Sequence, residues 1–156
     1  EVGLKSRMRE NCTYGSVRGS RQAFLKLNKR RKECRDCLLD GNGMDCLFCK
    51  IAKGEIPSTK VYEDEQLLAF RDIDPKAPTH ILIIPKKHIS SINALTKEDT
   101  ALVGEAYLLM KNLAKEEGID TSGYRVVVNT LQDGGQTVDH LHFHLLGGRS
   151  LGWPPG

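Results

Sequence analysis

The chain has 156 residues, of which 39% are apolar, 28% charged and 6% aromatic, a size and balance that suit one compact domain and exclude disorder throughout. Its longest uncharged apolar run, His80 to Pro85, falls far short of the ~20 residues a membrane-spanning helix needs, and the opening stretch reads as free of the apolar block of a secretory leader. The formal net charge of +3 hides an asymmetry, since residues 1–45 hold 11 Lys and Arg against 6 Asp and Glu, whereas residues 46–156 hold 12 against 14.

The turn-rich stretch Gly41-Asn42-Gly43-Met44 divides the chain into a basic arm, residues 1–43, and a domain, residues 44–156. Residues 1–19 have no hydrophobic period and read as disordered. From Ser20 to Leu39 the spacing of Ala23, Phe24, Leu27, Cys34, Cys37 and Leu38 among lysines and arginines permits a loosely held, basic amphipathic helix. All five cysteines, Cys12, Cys34, Cys37, Cys46 and Cys49, lie in the first third of the chain, mostly as C-x-x-C pairs. That clustering suggests metal ligation in a reducing, cytoplasmic setting more than a disulfide framework.

Downstream, Cys46 to Lys53 is predicted as a short helix stopped by Gly54. Strands follow at Lys60–Glu63, Leu67–Asp72 and His80–Pro85, separated by turn residues. Thr96 caps a long helix whose one face carries Leu102, Val103, Ala106, Leu109, Met110 and Leu113, and Gly118 ends it. Two more strands, Tyr124–Asn129 and His140–Leu146, flank the loop Gln132-Asp133-Gly134-Gly135-Gln136. Too few strand-helix-strand units alternate for a doubly wound sheet. The expected class is therefore α+β, a mainly antiparallel five-stranded sheet with one long and one short helix.

His140, His142 and His144 recur at every second residue, so a strand across them sets all three imidazoles on one face, with Leu141, Phe143 and Leu145 on the other. Two chemistries use such a row. The rings could ligate a divalent metal, or one could attack phosphorus while a neighbour fixes its tautomer and the N–H groups of Asp133-Gly134-Gly135-Gln136 hold the phosphate oxygens. The glycine loop favours the second.

The run Gly135-Gln136-Thr137-Val138-Asp139-His140-Leu141-His142-Phe143-His144-Leu145-Leu146 resembles the signature of the histidine triad superfamily, and within it the Hint branch of nucleoside phosphoramidases. The resemblance extends through Gly147-Gly148-Arg149 and Trp153-Pro154-Pro155-Gly156, and back to Phe70-Arg71-Asp72-Ile73-Asp74-Pro75, Pro78-Thr79-His80 and Pro85-Lys86-Lys87-His88. It covers residues 46–156. It implies that His142 takes a nucleotidyl group into a covalent phosphoramidate, which water then cleaves to the nucleoside monophosphate. His144 is implied to bind phosphate oxygen and His80 to complete the hydrogen-bond chain behind it. Thr137 stands where the family commonly has Ser and would assist the leaving group. The resemblance further implies that Asn129, Gly135 and Gln136 contact phosphate or its surroundings, that Asp72 accepts from the ribose hydroxyls, and that Phe70 and Ile73 line the base pocket. Trp153 would dock in the partner's site across a homodimer. The substrates implied are purine nucleotides or nucleoside phosphoramidates, with no cofactor needed for catalysis.

The metal question has three answers at this point. Cys46 and Cys49 have a spacing common in zinc sites, and His88 with His140 completes a Cys₂His₂ set, as in some superfamily members that bind structural zinc. Cys34 and Cys37 with Cys46 and Cys49 give a four-cysteine knuckle instead, or the thiols are metal-free. Two rival functions also stand beside the enzyme. One is a non-catalytic nucleotide-binding module whose basic arm engages nucleic acid or an acidic partner, and the other is a zinc protein without a nucleotide site.

Overall fold

The computed structural model describes residues 45–155. The arm, its helix and the thiols of Cys12, Cys34 and Cys37 lie outside the described residues, and so does the four-cysteine knuckle.

The short helix α1 spans Leu47–Ala52 and is followed by strands β1 (Lys60–Glu63), β2 (Leu67–Arg71) and β3 (Thr79–Pro85). Single 3₁₀ turns at Ile92–Ala94 and Lys97–Asp99 lead into the long helix α2 (Thr100–Glu116), and β4 (Tyr124–Val127) and β5 (Phe143–Gly147) complete the order. The strands form one antiparallel sheet in the order β1-β2-β3-β5-β4. The α+β class, the five strands and the two helices are as the sequence predicts.

Strand periodicity divides the sheet into two faces. Leu67 and Ala69 of β2, Ile81 and Ile83 of β3, and Phe143 and Leu145 of β5 join Ala106, Leu109, Met110 and Leu113 of α2 in one buried cluster, with Leu102 and Val103 at its margin. The alternate residues, Leu68, Phe70, His80, Leu82, Ile84 and His142, are buried as well. Phe48 of α1 meets Phe70 edge to face, with ring centroids 5.8 Å apart. Cover on both sides explains why β2 and β3 read as unbroken apolar runs.

The start of α2 is more elaborate than a threonine cap. Thr96 donates both its backbone N–H and its hydroxyl to Asp99 Oδ2, at 3.0 and 2.9 Å, while Lys87 Nζ donates to Asp99 Oδ1 at 2.6 Å. Gly118 sits just beyond the last turn with φ +66°, a left-handed conformation that glycine adopts without strain.

The last strand begins later than the histidine spacing predicts, at Phe143 instead of His140. Backbone groups before it are diverted elsewhere. His140 N–H donates to Val138 O at 2.8 Å, and Leu141 N–H to Ile89 O at 2.6 Å. The His140 carbonyl accepts from the ring of His142. Residues 140–142 thus approach the sheet without joining its ladder, and of the three histidines His144 alone lies in β5. The fourth strand likewise stops at Val127, short of Asn129.

Candidate functional site

β3 and β5 lie side by side, with His80 opposite Leu146 and His144 opposite Leu82. This diagonal register brings His80 Nε2 to 2.9 Å from His144 Nδ1. Lys76 N–H donates to His80 Nδ1 at 3.1 Å, so a neutral His80 carries its proton on Nε2 and donates it to His144. His144 must then carry its own proton on Nε2. That nitrogen is buried and has no hydrogen-bond partner among the described residues, and a buried donor of this kind is costly unless a ligand satisfies it. Asp72 follows β2 and brings Oδ2 to 3.5 Å from His80 Nε2.

His142 is held in the opposite tautomer by a different bond. Its Nδ1–H donates to the His140 carbonyl at 2.6 Å, which requires the proton on Nδ1 and leaves the lone pair on Nε2. Its ring lies 5.0 Å from that of His144 and 5.2 Å from that of Phe48, centroid to centroid. Burial disfavours the charged form of each ring. It lowers His142 and His80 below the usual imidazole value, against the opposing pull of the His140 carbonyl and of Asp72 respectively. Burial, reinforced by His142 and His80, brings His144 down to about 4. The site therefore holds a neutral imidazole with a free Nε2 lone pair beside a neutral imidazole with a free Nε2–H.

The third triad ring turns to other partners. His140 Nε2–H donates to Pro85 O at 2.8 Å, leaving its Nδ1 lone pair 3.4 Å from Cys46 Sγ, 3.5 Å from Cys49 Sγ and 3.3 Å from His88 Nδ1. Cys49 Sγ lies 3.3 Å from His88 Nδ1. A zinc tetrahedron with bonds of about 2.3 Å to sulfur and about 2.0 Å to nitrogen has S···N edges of about 3.5 Å and N···N edges of about 3.3 Å. The four residues fit that ion. Burial and the neighbouring Cys46 push the Cys49 thiol up to about 12, so a thiolate there needs a compensating cation. The outward nitrogen of His140 is held by a backbone carbonyl, as metal-ligating histidines ordinarily are.

Other predicted site residues lie around this centre. Phe70 is buried against Phe48, whereas Ile73 is 43% exposed beside Asp72. Thr137 is exposed and Asn129 half-buried, and neither has a hydrogen bond to the histidines. Within the glycine loop, Gly135 N–H donates to Gln132 O and Gln136 N–H to Leu131 O, so two of the N–H groups expected to cradle an anion are taken up by the turn itself. The Gln136 side chain staples the loop, donating to Ser90 O and Val138 O and accepting from Leu131 N–H. Trp153 is 83% exposed, on a tail that Arg125 holds through the Gly152 carbonyl at 2.6 Å.

A family model described as HIT domain matches residues 53–151. The chain belongs to the HIT domain family. An uncharacterised HIT-like protein of Synechococcus elongatus is 56% identical over 112 residues, covering 72% of this chain and 97% of the relative. A 14 kDa zinc-binding protein of Zea mays is 52% identical over 112 residues, covering 70% of this chain and 87% of its own length. Among solved structures, a HIT family hydrolase from Legionella pneumophila superposes with a TM-score of 0.71 at 57% identity, covering 72% of this chain and all of that one.

Four residues of this HIT domain support the histidines in ways the sequence motifs assign to none of them. Phe48 packs on both His140 and His142. Lys76 sets the His80 tautomer through its main chain, and Pro85 offers a carbonyl to His140. Arg149 donates to the Lys76 carbonyl at 2.8 Å. Two of the four, Lys76 and Pro85, act through their own backbone groups, and Arg149 acts on one of these, which side-chain identity does not announce.

Proposed function

We propose that this HIT protein is a hydrolase that cleaves purine nucleoside phosphoramidates and related nucleotide conjugates to the nucleoside monophosphate through a nucleotidyl-His142 intermediate. The observation that carries the reading is the pair of fixed tautomers, a free lone pair on His142 Nε2 and, on the adjacent ring, a buried and unpartnered His144 Nε2–H.

His142 Nε2 bonds to phosphorus as the phosphorus–nitrogen bond breaks, and the nitrogen takes a proton from solvent, passed through the Thr137 hydroxyl, to depart as the neutral amine. Water then bonds to phosphorus, the Nε2–phosphorus bond breaks and the ring is regenerated. A neutral imidazole is a competent nucleophile and a fair leaving group near neutral pH. His144 donates to a phosphate oxygen while charge builds there, with His80 and Asp72 holding the donor in place. Asp72 also suits the ribose hydroxyls, because an ionised carboxylate only accepts. Phe70 and Ile73 line the base pocket, and Asn129, Gly135 and Gln136 border the phosphate.

Cys46, Cys49, His88 and His140 hold a structural zinc, the role suggested by the zinc-binding relative from Zea mays. When bound it supplies a crosslink between α1 and the residues before β5, and catalysis calls for no further cofactor. The protein works as a homodimer, with Trp153 reaching the partner's site. Cysteines that ligate metal and form no disulfide among the described residues suit the reducing cytoplasm, and among those residues no helix is long and apolar enough to cross a membrane.

Brief incubation with adenosine phosphoramidate followed by mass spectrometry tests the chemistry. An adenylyl adduct on His142 is expected in the parent chain and none in His142→Asn. An undiminished adduct in that variant, or hydrolysis that persists, rejects the covalent route through this ring.

A further inference from the structure

Two links join the Cys/His cluster to the nucleophile. The first is His140, whose side chain and backbone serve different centres. Its ring points Nδ1 at Cys46, Cys49 and His88, while its carbonyl takes the Nδ1–H of His142 at 2.6 Å. The ring is also tied through Nε2–H to Pro85 O, so it is braced at both nitrogens. Any rotation of the 140 peptide disturbs the bond that fixes the His142 tautomer.

The second link is Phe48, which lies between the two cysteines in sequence. Its ring meets His142 edge to face at 5.2 Å and 78°, and His140 at 6.0 Å and 75°. Phe70 backs it from β2. The six residues of α1 are too few to hold a helix on their own, so tertiary anchors decide where Phe48 sits. Cys46, at the N-cap, and Cys49, within the helix, are two of those anchors.

We propose that metal loading of the Cys46–Cys49–His88–His140 cluster sets the orientation of the His142 ring, with His140 and Phe48 as the positioning residues that transmit it. Metal supply then governs how well the nucleophile is presented, in addition to how firmly α1 is held. The proposal rests on the reading of His142 as the nucleophile, although the orientation itself is observable without any reaction. A staple that merely fastens α1 would leave His142 unaffected by metal.

The test uses the full chain with ¹⁵N-labelled histidine, stripped by a chelator and titrated with zinc alone. Long-range ¹H–¹⁵N spectra report each ring's tautomer. With zinc bound, His142 is expected to show one tautomer, protonated on Nδ1, and on stripping to become an average of two. The rate of adenylyl-adduct formation is expected to fall about tenfold or more, the usual scale for losing an outer-shell support. If His88 and His140 shift on stripping while His142 and the adduct rate stay unchanged, the coupling is overturned.

Should the stripped chain unfold, zinc-loaded Phe48→Leu decides instead. It is expected to keep its zinc while His142 loses its single tautomer and the adduct rate drops about tenfold; an unchanged His142 in that variant overturns the proposal. Failure of zinc-loaded parent protein to form any adduct rejects the hydrolase reading, and the tautomer measurement still judges the coupling.

Discussion

Under the proposed mechanism His144 acts through a single hydrogen-bond donor that has no partner among the described residues, and the same burial keeps the ring neutral. Its pKa falls from the ordinary 6.5 to about 4, chiefly by burial and then through His142 and His80. The folded chain thus resists a proton that the unfolded chain accepts, and the stability this provides is complete above about pH 6.5 and is lost as the pH falls toward about 4. In His144→Asn that contribution is gone. Urea midpoints measured from pH 7 to pH 4 are therefore expected to decline less steeply in the variant than in the parent, and equal slopes would show that His144 is not held neutral by the fold. The three-histidine spacing announced this residue in the sequence, but not its partition from His140. The His140 ring faces a thiol cluster, His142 bonds the 140 carbonyl and His144 bonds His80, a division set by Val138, Ile89 and Pro85, which capture backbone or ring groups around residues 140 and 141. Those partners are distant in sequence or act through carbonyls, and spacing along one strand carries no trace of them.

At the scale of elements, the two helices were legible for opposite reasons. α2 is long and periodic, and its buried residues Ala106, Leu109, Met110, Leu113 and Ala114 repeat with the helical period. α1 was legible only from its stop at Gly54, since six residues carry almost no period; its position depends on Phe48 and the cysteines. The α2 entrance shows what local sequence can specify. The sequence marks Thr96 as the cap, and the fold adds that Asp99 gathers two donors from Thr96 and a third from Lys87. These bonds hold Asp99 ionised, at about 2. Removing the hydroxyl in Thr96→Ala deletes one of them, a loss of helix-start stabilisation worth about 1 kcal/mol. Equilibrium urea denaturation is expected to show it as a lower midpoint with an unchanged slope, and adduct formation at His142 should be unaffected because the cap lies at the helix start, away from the histidine chain.

For the whole molecule, what the sequence could not supply is the insertion of β5 between β3 and β4. Hairpin logic joins neighbours in sequence, yet the register of β3 with β5 is the arrangement that sets His80 against His144. The same strand order leaves β4 at an edge, paired on one side among the described residues. Its Val126 and Val127 are half-buried and Tyr124 is 38% exposed, an apolar edge of the kind that natural sheets cover or blunt. α2 adds a second exposed surface: Leu108 is 55% exposed on a helix whose other side is in the core, and Tyr107, 51% exposed, leans one side of its ring on Phe143. Under the proposed homodimer a second copy covers these groups, and apolar exposure of this kind is what an interface converts into burial. Analytical ultracentrifugation of the full chain is expected to show a two-chain species, and Leu108→Arg, which sets a charge on the uncovered side of α2 without entering the core, is expected to shift it to one chain. A parent protein that sediments as a single chain at micromolar concentration rejects the dimer, and an unshifted Leu108→Arg dimer moves the interface away from this helix.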